Sequence, residues 1–308
     1  MSSRPLAVIG VPSSAGGRSV GLEEAPGALR NAGLVARLRA SGLSVADQGD
    51  LPRLDPGQGP ERPNEGRLWQ VSQVARNVAA ELKLASHDGT LPVVLGGDCS
   101  ITLGVLAGLL VQGADLGLLY FDGDLDLNTP ATTPSGFFDG MVTSHILGAG
   151  SPELARIGPR CPLVSEPHLA FFGYNVASGF VDPPELAALE RSAALRYPIE
   201  QIRNDPLASA REALGALESR VQRILVHFDV DASDIPAVDA LHRGALPFGS
   251  SVEALKVFLA SPKCAGLVVT EFNPRLDPDG SLALQLATGL AEALSAVRGS
   301  RRQSDVFR

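Results

Sequence analysis

The 308-residue sequence predicts an α/β fold built on a parallel sheet covered on both faces. Short apolar runs alternate with longer amphipathic ones. The short runs are almost continuously apolar, as strands buried on both faces are. Acidic and thiol residues follow directly after four of these runs, where open α/β sheets collect their ligands.

The elements follow in order. Strand 6–12 (LAVIGVP) leads into a helix over 23–41, whose Pro26 suits a first turn that needs no backbone N–H. Strand 44–48 comes next, and the Pro/Gly-rich segment 52–66 (PRLDPGQGPERPNEG) reads as a loop. Helix 67–88 leads to strand 92–96 (PVVLG), and helix 100–112 to strand 116–122 (LGLLYFD). Helix 139–148, strand 168–173, helix 183–193, strand 194–197 and helix 206–221 follow. Strand 223–229 (RILVHFD), helix 251–261, strand 266–271 (GLVVTE) and helix 281–298 complete the alternation. Such alternation gives βαβ units with right-handed crossovers. No repeat or composition shift divides the chain, so 1–298 reads as one domain and 299–308 (GSRRQSDVFR) as a polar tail.

Composition narrows the function. Hydrophobic residues make up 44% and charged residues 19%, enough for a sizeable core. A net charge of −8 disfavours nucleic acid or an anionic membrane as partner. No run of apolar residues is long enough to span a bilayer, and no signal peptide is visible. Three widely spaced cysteines, Cys99, Cys161 and Cys264, fit a reducing compartment, so a cytoplasmic protein is expected. Cys161 and Cys264 read as small apolar residues. The "GGD" turn at 96–98 lacks the further glycines and lysine of a phosphate loop.

The four strand ends carry "GGDCS", "FDGDLD", "FDVDASD" and "TEFNP". Asp122, Asp124, Asp126, Asp229 and Asp231 would bring five carboxylates to one rim of the sheet. Unneutralised, they would repel and several would take up protons. Either each D-x-D is a solvated turn, or divalent cations hold the carboxylates together, a recurrent hydrolytic arrangement.

These motifs, with "VIGVPSSAGGRSVGLEEAPGALRNAG", "DQGDLP" and "DGDLDLNTPATTPSG", resemble the ureohydrolase family of arginases and agmatinases, nearer its arginase branch. The family patterns are G-G-D-H-S, D-A-H-x-D, D-x-D-x-x-D-P and E-x-N-P, and the four matches stand in the same order. The resemblance implies a three-layer α/β/α sandwich with a parallel eight-stranded sheet, a binuclear manganese site, and a homotrimer or homohexamer. It implies metal ligands at Asp122, Asp126, Asp229 and Asp231, and a guanidinium-binding carboxylate at Glu271. Asn128, Thr133 and Ser135 match positions that hold the amino-acid end of the substrate, and Phe137 replaces an asparagine of that set.

The chain departs from the family at its histidines. Cys99 stands in place of one ligand histidine, Asp124 in place of the other, and Asp139 in place of a proton-shuttling third. The residue before Pro236 is Ile235, so the third motif carries an insertion. The four matching aspartates carry −4, which two divalent ions balance; Asp124 makes it −5 and a Cys99 thiolate would make it −6. A thiolate favours softer ions, whereas the carboxylates suit Mn²⁺ or Mg²⁺.

Three further residues bear on the site. His145 reads as structural. His227 lies two residues before Asp229 on the same side of its strand, as a satisfied core histidine or a partner of a ligand. His242 and Arg243 follow the third motif, as solvated loop residues or as a replacement proton shuttle and an anion-binding cation.

The expected activity is metal-dependent hydrolysis of a linear C–N bond in a small guanidino or amidino compound. An arginine-like amino acid, N-hydroxylated arginine included, is the expected substrate, with Glu271 holding its guanidinium and Asp139 or His242 moving a proton. The alternative is a catalytically degenerate relative with a binding or regulatory role and weak or no metal binding.

Overall fold

The computed structural model describes residues 4–54, 59–60, 63–85, 89–111, 113 and 115–297. Eight strands form one sheet: β1 (Leu6–Gly10), β2 (Val45–Asp50), β3 (Leu91–Leu95), β4 (Leu116–Phe121), β5 (Leu169–Phe172), β6 (Leu195–Tyr197), β7 (Arg223–Asp229) and β8 (Cys264–Thr270). Their order is β2-β1-β3-β8-β7-β4-β5-β6. Every pairing is parallel. β1, β3, β4, β5 and β8 are buried along their whole length, which is why their sequences run apolar rather than alternate. β2 is mostly exposed, with none of its residues buried, and β6 has three residues; short or charged strands suit the two edges of a sheet.

Helices α1 (Ala25–Asn31), α2 (Leu34–Ala40), α9 (Pro206–Glu218), α10 (Phe248–Leu259) and α11 (Ser281–Leu294) cover one face, through Leu29, Leu38, Ala213, Phe258 and Leu290. Helices α3 (Pro63–Ala85), α4 (Ile101–Leu110), α5 (Val142–Ile146) and α7 (Pro183–Arg191) cover the other, through Val78, Leu106, Ile146 and Leu189. Within β4, Leu119 and Phe121 enter the first core, whereas Leu118 and Tyr120 enter the second. That period of two divides one strand between two cores. Two short helices, α6 (Pro152–Ala155) and α8 (Ile199–Ile202), complete the α-helices among the described residues.

The three-layer arrangement and the eight strands are as the sequence predicts; the differences are local. The single helix expected over 23–41 is broken into a 3₁₀ turn, α1 and α2, because Gly33 adopts φ 85°, a conformation that ends a helix. α3 starts at Pro63, inside the expected loop 52–66, and its expected end at 86–88 lies outside the described residues, as does the tail 299–308. α10 begins three residues earlier than expected, at Phe248, whose N–H donates to Asp234 (2.8 Å). Cys264 is buried, but Cys161 is exposed and does not pack as an apolar residue. His145 is structural: its Nδ1–H donates to the Met141 carbonyl (2.6 Å), and its Nε2 accepts from the Ser151 N–H (3.2 Å). Among the described residues no helix is long and apolar enough to cross a membrane.

Candidate metal centre and substrate cleft

Four neighbouring strands, β3, β8, β7 and β4, deliver the four motifs to one rim of the sheet. Backbone and carboxylate hydrogen bonds knit the loops after them. The Gly123 N–H donates to Asp231 Oδ1 (3.1 Å), joining the loop after β4 to that after β7. The Cys99 N–H donates to Glu271 Oε1 (3.0 Å), and the Glu271 N–H donates to the Gly97 carbonyl (2.9 Å), joining the loops after β3 and β8. Asp122 Oδ1 accepts from the Asp124 N–H (2.7 Å), and Asp229 Oδ1 from the Asp231 N–H (2.9 Å). Asp126 and Glu271 have φ 51° and 65°, left-handed values that cost a residue with a Cβ on the order of 1 kcal/mol or more. Both strained positions bear side chains that line the same cleft.

The acidic groups form two clusters. In the first, Cys99, Asp122, His227 and Asp229 are all buried, each offering a donor atom within 4.8 Å of the others. The Cys99 thiol donates to Asp229 Oδ2 (2.7 Å) and lies 3.7 Å from His227 Nε2. His227 Nε2 stands 3.5 Å from Asp122 Oδ2. In the second, Asp124, Asp231 and His242 meet, with His242 Nε2 3.3 Å from Asp231 Oδ2 and 3.5 Å from Asp124 Oδ2. Asp126 belongs to neither: its Oδ2 accepts a short hydrogen bond from the Tyr120 hydroxyl.

Crowding shows in the titration of these groups. Burial, then repulsion from Asp231 and Asp124, pushes the Asp122 carboxyl well above the usual range. Burial, then Asp231 and Asp122, does the same to Asp229, and burial with Asp122 and Asp124 to Asp126. The Cys99 thiol is raised by burial and by Asp229. Burial takes His227 down to about 3, so it is neutral. Burial pulls His242 down too, but Asp231 and Asp124 outweigh it and hold the imidazole at about 11.

A divalent cation fits these donors. Asp122 Oδ2 and Asp124 Oδ1 are buried atoms with no hydrogen-bond partner. An unpaired carboxylate oxygen out of water costs on the order of several kcal/mol, and an ion between the acids removes both that cost and their mutual repulsion.

Beside the clusters lies a cleft of about 260 Å³. Its buried end carries Cys99, Asp122, Asp229, Asp231 and Glu271; Arg18, Thr133, Ser135 and Phe137 line it nearer the solvent. Asn128 Nδ2 donates to Asp182 Oδ2 (3.0 Å) and its Oδ1 accepts from the Thr132 hydroxyl (3.0 Å), which fixes the amide. The hydroxyls of Thr133 and Ser135 are 3.3 Å apart. Phe137 lies under two guanidinium groups, Arg67 at 4.7 Å and Arg18 at 6.0 Å from the ring centre. Asp139 lines the wall, and burial with the nearby Asp98 carboxylate raises it to about 7. Burial with repulsion from Asp139 and Asp98 raises Glu271 well above the usual range.

All the residues singled out in the four motifs reach this region, but two imidazoles take places the sequence does not assign. His227 is a member of the first cluster, and His242 is clamped between two carboxylates of the second; neither lines the cleft. The signal for His227 was present in its two-residue spacing from Asp229. The sequence marks His242 as a loop residue or a proton shuttle but not as a member of a cluster, and nothing local marks Thr102, whose Oγ1 lies 2.8 Å from His227 Nδ1. Arg243 is exposed, and its carbonyl accepts from Asn175 Nδ2 (2.9 Å).

Comparison with known proteins places this arrangement. The chain is 29% identical over 283 residues to an arginase of Bacillus caldovelox, covering 89% of this chain and 92% of that one. It is 31% identical over 287 residues to arginase-1 of Sus scrofa, covering 89% and 86%. The solved structure of Bacillus caldovelox arginase superposes with a TM-score of 0.86 at 26% identity, covering 97% of this chain and 99% of that one. A formimidoylglutamase of Bacillus subtilis shares the fold at 21% identity, with a TM-score of 0.76 and coverage of 98% and 89%. With the arginase-family model matching residues 4–296, on a sheet whose strand ends carry these acids, the chain belongs to the arginase family of hydrolases.

Proposed function

We propose that the protein is a metal-dependent hydrolase that cleaves a linear C–N bond in a guanidino compound, with an arginine-like amino acid, N-hydroxylated arginine included, as substrate. One observation carries the reading: a single cleft presents the clustered carboxylates, the Glu271 carboxylate, and the Thr133–Ser135 hydroxyl pair with Arg18 nearby. Its ends suit opposite charges. Glu271 and the surplus acid attract a guanidinium, while Arg18 and the two hydroxyls suit a carboxylate.

Divalent ions held at the two clusters, one with Asp122 and Asp229 and the other with Asp124 and Asp231, would supply Lewis acidity and an activated water. The chain does the rest. Glu271, locked by the Cys99 N–H, receives the guanidinium at a fixed height above the clusters. Asp139, raised to about 7, holds a proton near neutral pH and delivers it to the leaving amine. The cleft's amino-acid end is set by Asn128, itself fixed by Asp182 and Thr132.

The test is release of urea, or hydroxyurea, by the metal-loaded protein from arginine, N-hydroxyarginine and agmatine. Turnover of the amino acids in preference to agmatine is expected. Glu271→Gln should lower kcat/KM by about 30-fold or more, since it removes one partner of a buried charge pair. No release from any guanidino compound with Mn²⁺, Co²⁺, Zn²⁺ or Fe²⁺ loaded would overturn the reading.

A further inference from the structure

The two imidazoles that the structure brings to the clusters stand beside the two positions where the sequence lacks the family's ligand histidines. His227 Nε2 is 3.7 Å from the sulfur of Cys99, and His242 Nε2 is 3.5 Å from Asp124 Oδ2. Each arrives from a different part of the chain. His227 comes from inside β7, on the same face as Asp229. His242 comes from the segment between the 3₁₀ turn Val230–Ala232 and α10.

We infer that His227 and His242 are relocated metal ligands, and that they create two chemically unlike sites: a soft one of Cys99, His227, Asp122 and Asp229, and a hard one of Asp124, Asp231 and His242. The inference rests on the metal dependence of the proposed function, but not on the reaction.

The surroundings of each ring hold it for this task. His227 stacks on Tyr120, with ring centres 4.2 Å apart and planes 14° from parallel, and its far nitrogen meets the Thr102 hydroxyl at 2.8 Å. Its near nitrogen faces Asp122 Oδ2, an oxygen with no hydrogen-bond partner on a residue only 2% exposed. His242 is 3% exposed and packs edge-on against Phe180 at 4.9 Å. Its ring fits because residue 123 is glycine: a Cβ there would lie 2.6 Å from His242 Cδ2. Glycine at the middle of "DGD" is therefore a steric condition for His242 to reach Asp124 and Asp231.

The donor sets differ in kind. Sulfur, nitrogen and two carboxylate oxygens in mutual reach suit a four-coordinate Zn²⁺ or Co²⁺. Two carboxylates and one imidazole suit a harder ion such as Mn²⁺, which takes the place of the Nε2 proton between His242 and the two carboxylates, that proton leaving to solvent. Binding at the first site replaces the Cys99 Sγ–H···Asp229 hydrogen bond with a sulfur–metal and an oxygen–metal bond, and the thiol proton leaves to solvent.

The test uses the full chain, stripped of metal and titrated anaerobically with Co²⁺, with bound metal counted by mass spectrometry after dialysis. Two equivalents are expected, one of them giving a near-ultraviolet thiolate-to-cobalt absorption band. Cys99→Ser should remove the band. His227→Gln should lose the band-forming equivalent and keep the other; His242→Ala should lose the second equivalent and keep the band. Circular dichroism confirms that each variant is folded, and His227→Asn replaces the glutamine variant if that one is not. No band in the wild type, or two equivalents bound at wild-type affinity by both histidine variants, overturns the inference. Metal bound as described with no guanidino hydrolysis would sink the proposed reaction and leave the ligand assignment standing. Hydrolysis with histidine variants that load normally would do the reverse.

Discussion

The Thr102 hydroxyl lies 2.8 Å from His227 Nδ1, on the side of the ring opposite the acidic cluster. A hydroxyl can donate or accept, so Thr102 can serve either tautomer: it donates when Nε2 carries the proton, and accepts when Nε2 is a ligand. Thr102→Val should therefore weaken metal binding at the first site by about tenfold or more, and Thr102→Ser should restore it. Chelator competition measures the affinity. Equal affinity in the valine variant would show that the contact does not orient the ring.

Asp122→Asn should trade binding for stability. The asparagine keeps the acceptor used by the Asp124 N–H and removes a carboxyl whose ionisation burial and its acidic neighbours oppose. Without metal at neutral pH the variant should melt above the wild type, by on the order of 1–3 kcal/mol. With saturating metal the order should reverse, because the variant keeps only the second site and binding to the native state stabilises the wild type more. Thermal unfolding with and without metal reads both, and a wild type that melts higher in both conditions would count against the acidic crowding.

The pH profile should carry the mark of Asp139. Burial and Asp98 raise its carboxyl to about 7, so it is a proton donor below that value and a bare anion above it. As the donor to the leaving amine it predicts that kcat/KM falls as pH rises through about 7. Asp139→Asn should abolish that limb and lower kcat by about 10²–10⁴. A limb that survives the substitution would assign it to another group.

Glu185 should set a slope in stability rather than in rate. It caps α7 with Asp182 and accepts from the Leu127 N–H (2.8 Å), which anchors the loop that carries Asp126. Burial lifts it from 4.5 to about 7. A raised folded value means that its contribution is present below about 4.5 and is lost as pH rises through about 7, on the order of 3 kcal/mol over that window. Glu185→Gln sacrifices part of the cap but should flatten the slope. Denaturant unfolding across that window checks it, and an unchanged slope in the variant would remove Glu185 as its source.

Much of this molecule is legible in short stretches of sequence. The apolar runs announce β1, β3, β4, β7 and β8 because a strand buried on both faces has no room for alternation. The break at Gly33 is not legible in the same way. The apolar spacing continues across it, and only the backbone conformation of that one residue ends the helix. The acids after β4 and β7 are visible as a site because the ends of parallel strands necessarily share one rim.

What the sequence by itself determined is therefore the layered fold and the rim where Asp122, Asp124, Asp126, Asp229, Asp231 and Glu271 gather. Each follows from local periodicity and from the position of a motif at a strand's end. Spacing alone puts His227 on the side of Asp229, but which thiol and acids the two imidazoles meet was decided only by the tertiary structure. Cys99 and His227 are 128 residues apart in the chain, and they meet because β3 and β7 both flank β8. His242 meets Asp124 because the loop after β7 turns back over Gly123, where the absence of a Cβ leaves space for its ring. Contacts of this kind depend on strand order and on the shape of neighbouring loops, and no local pattern in the chain encodes either.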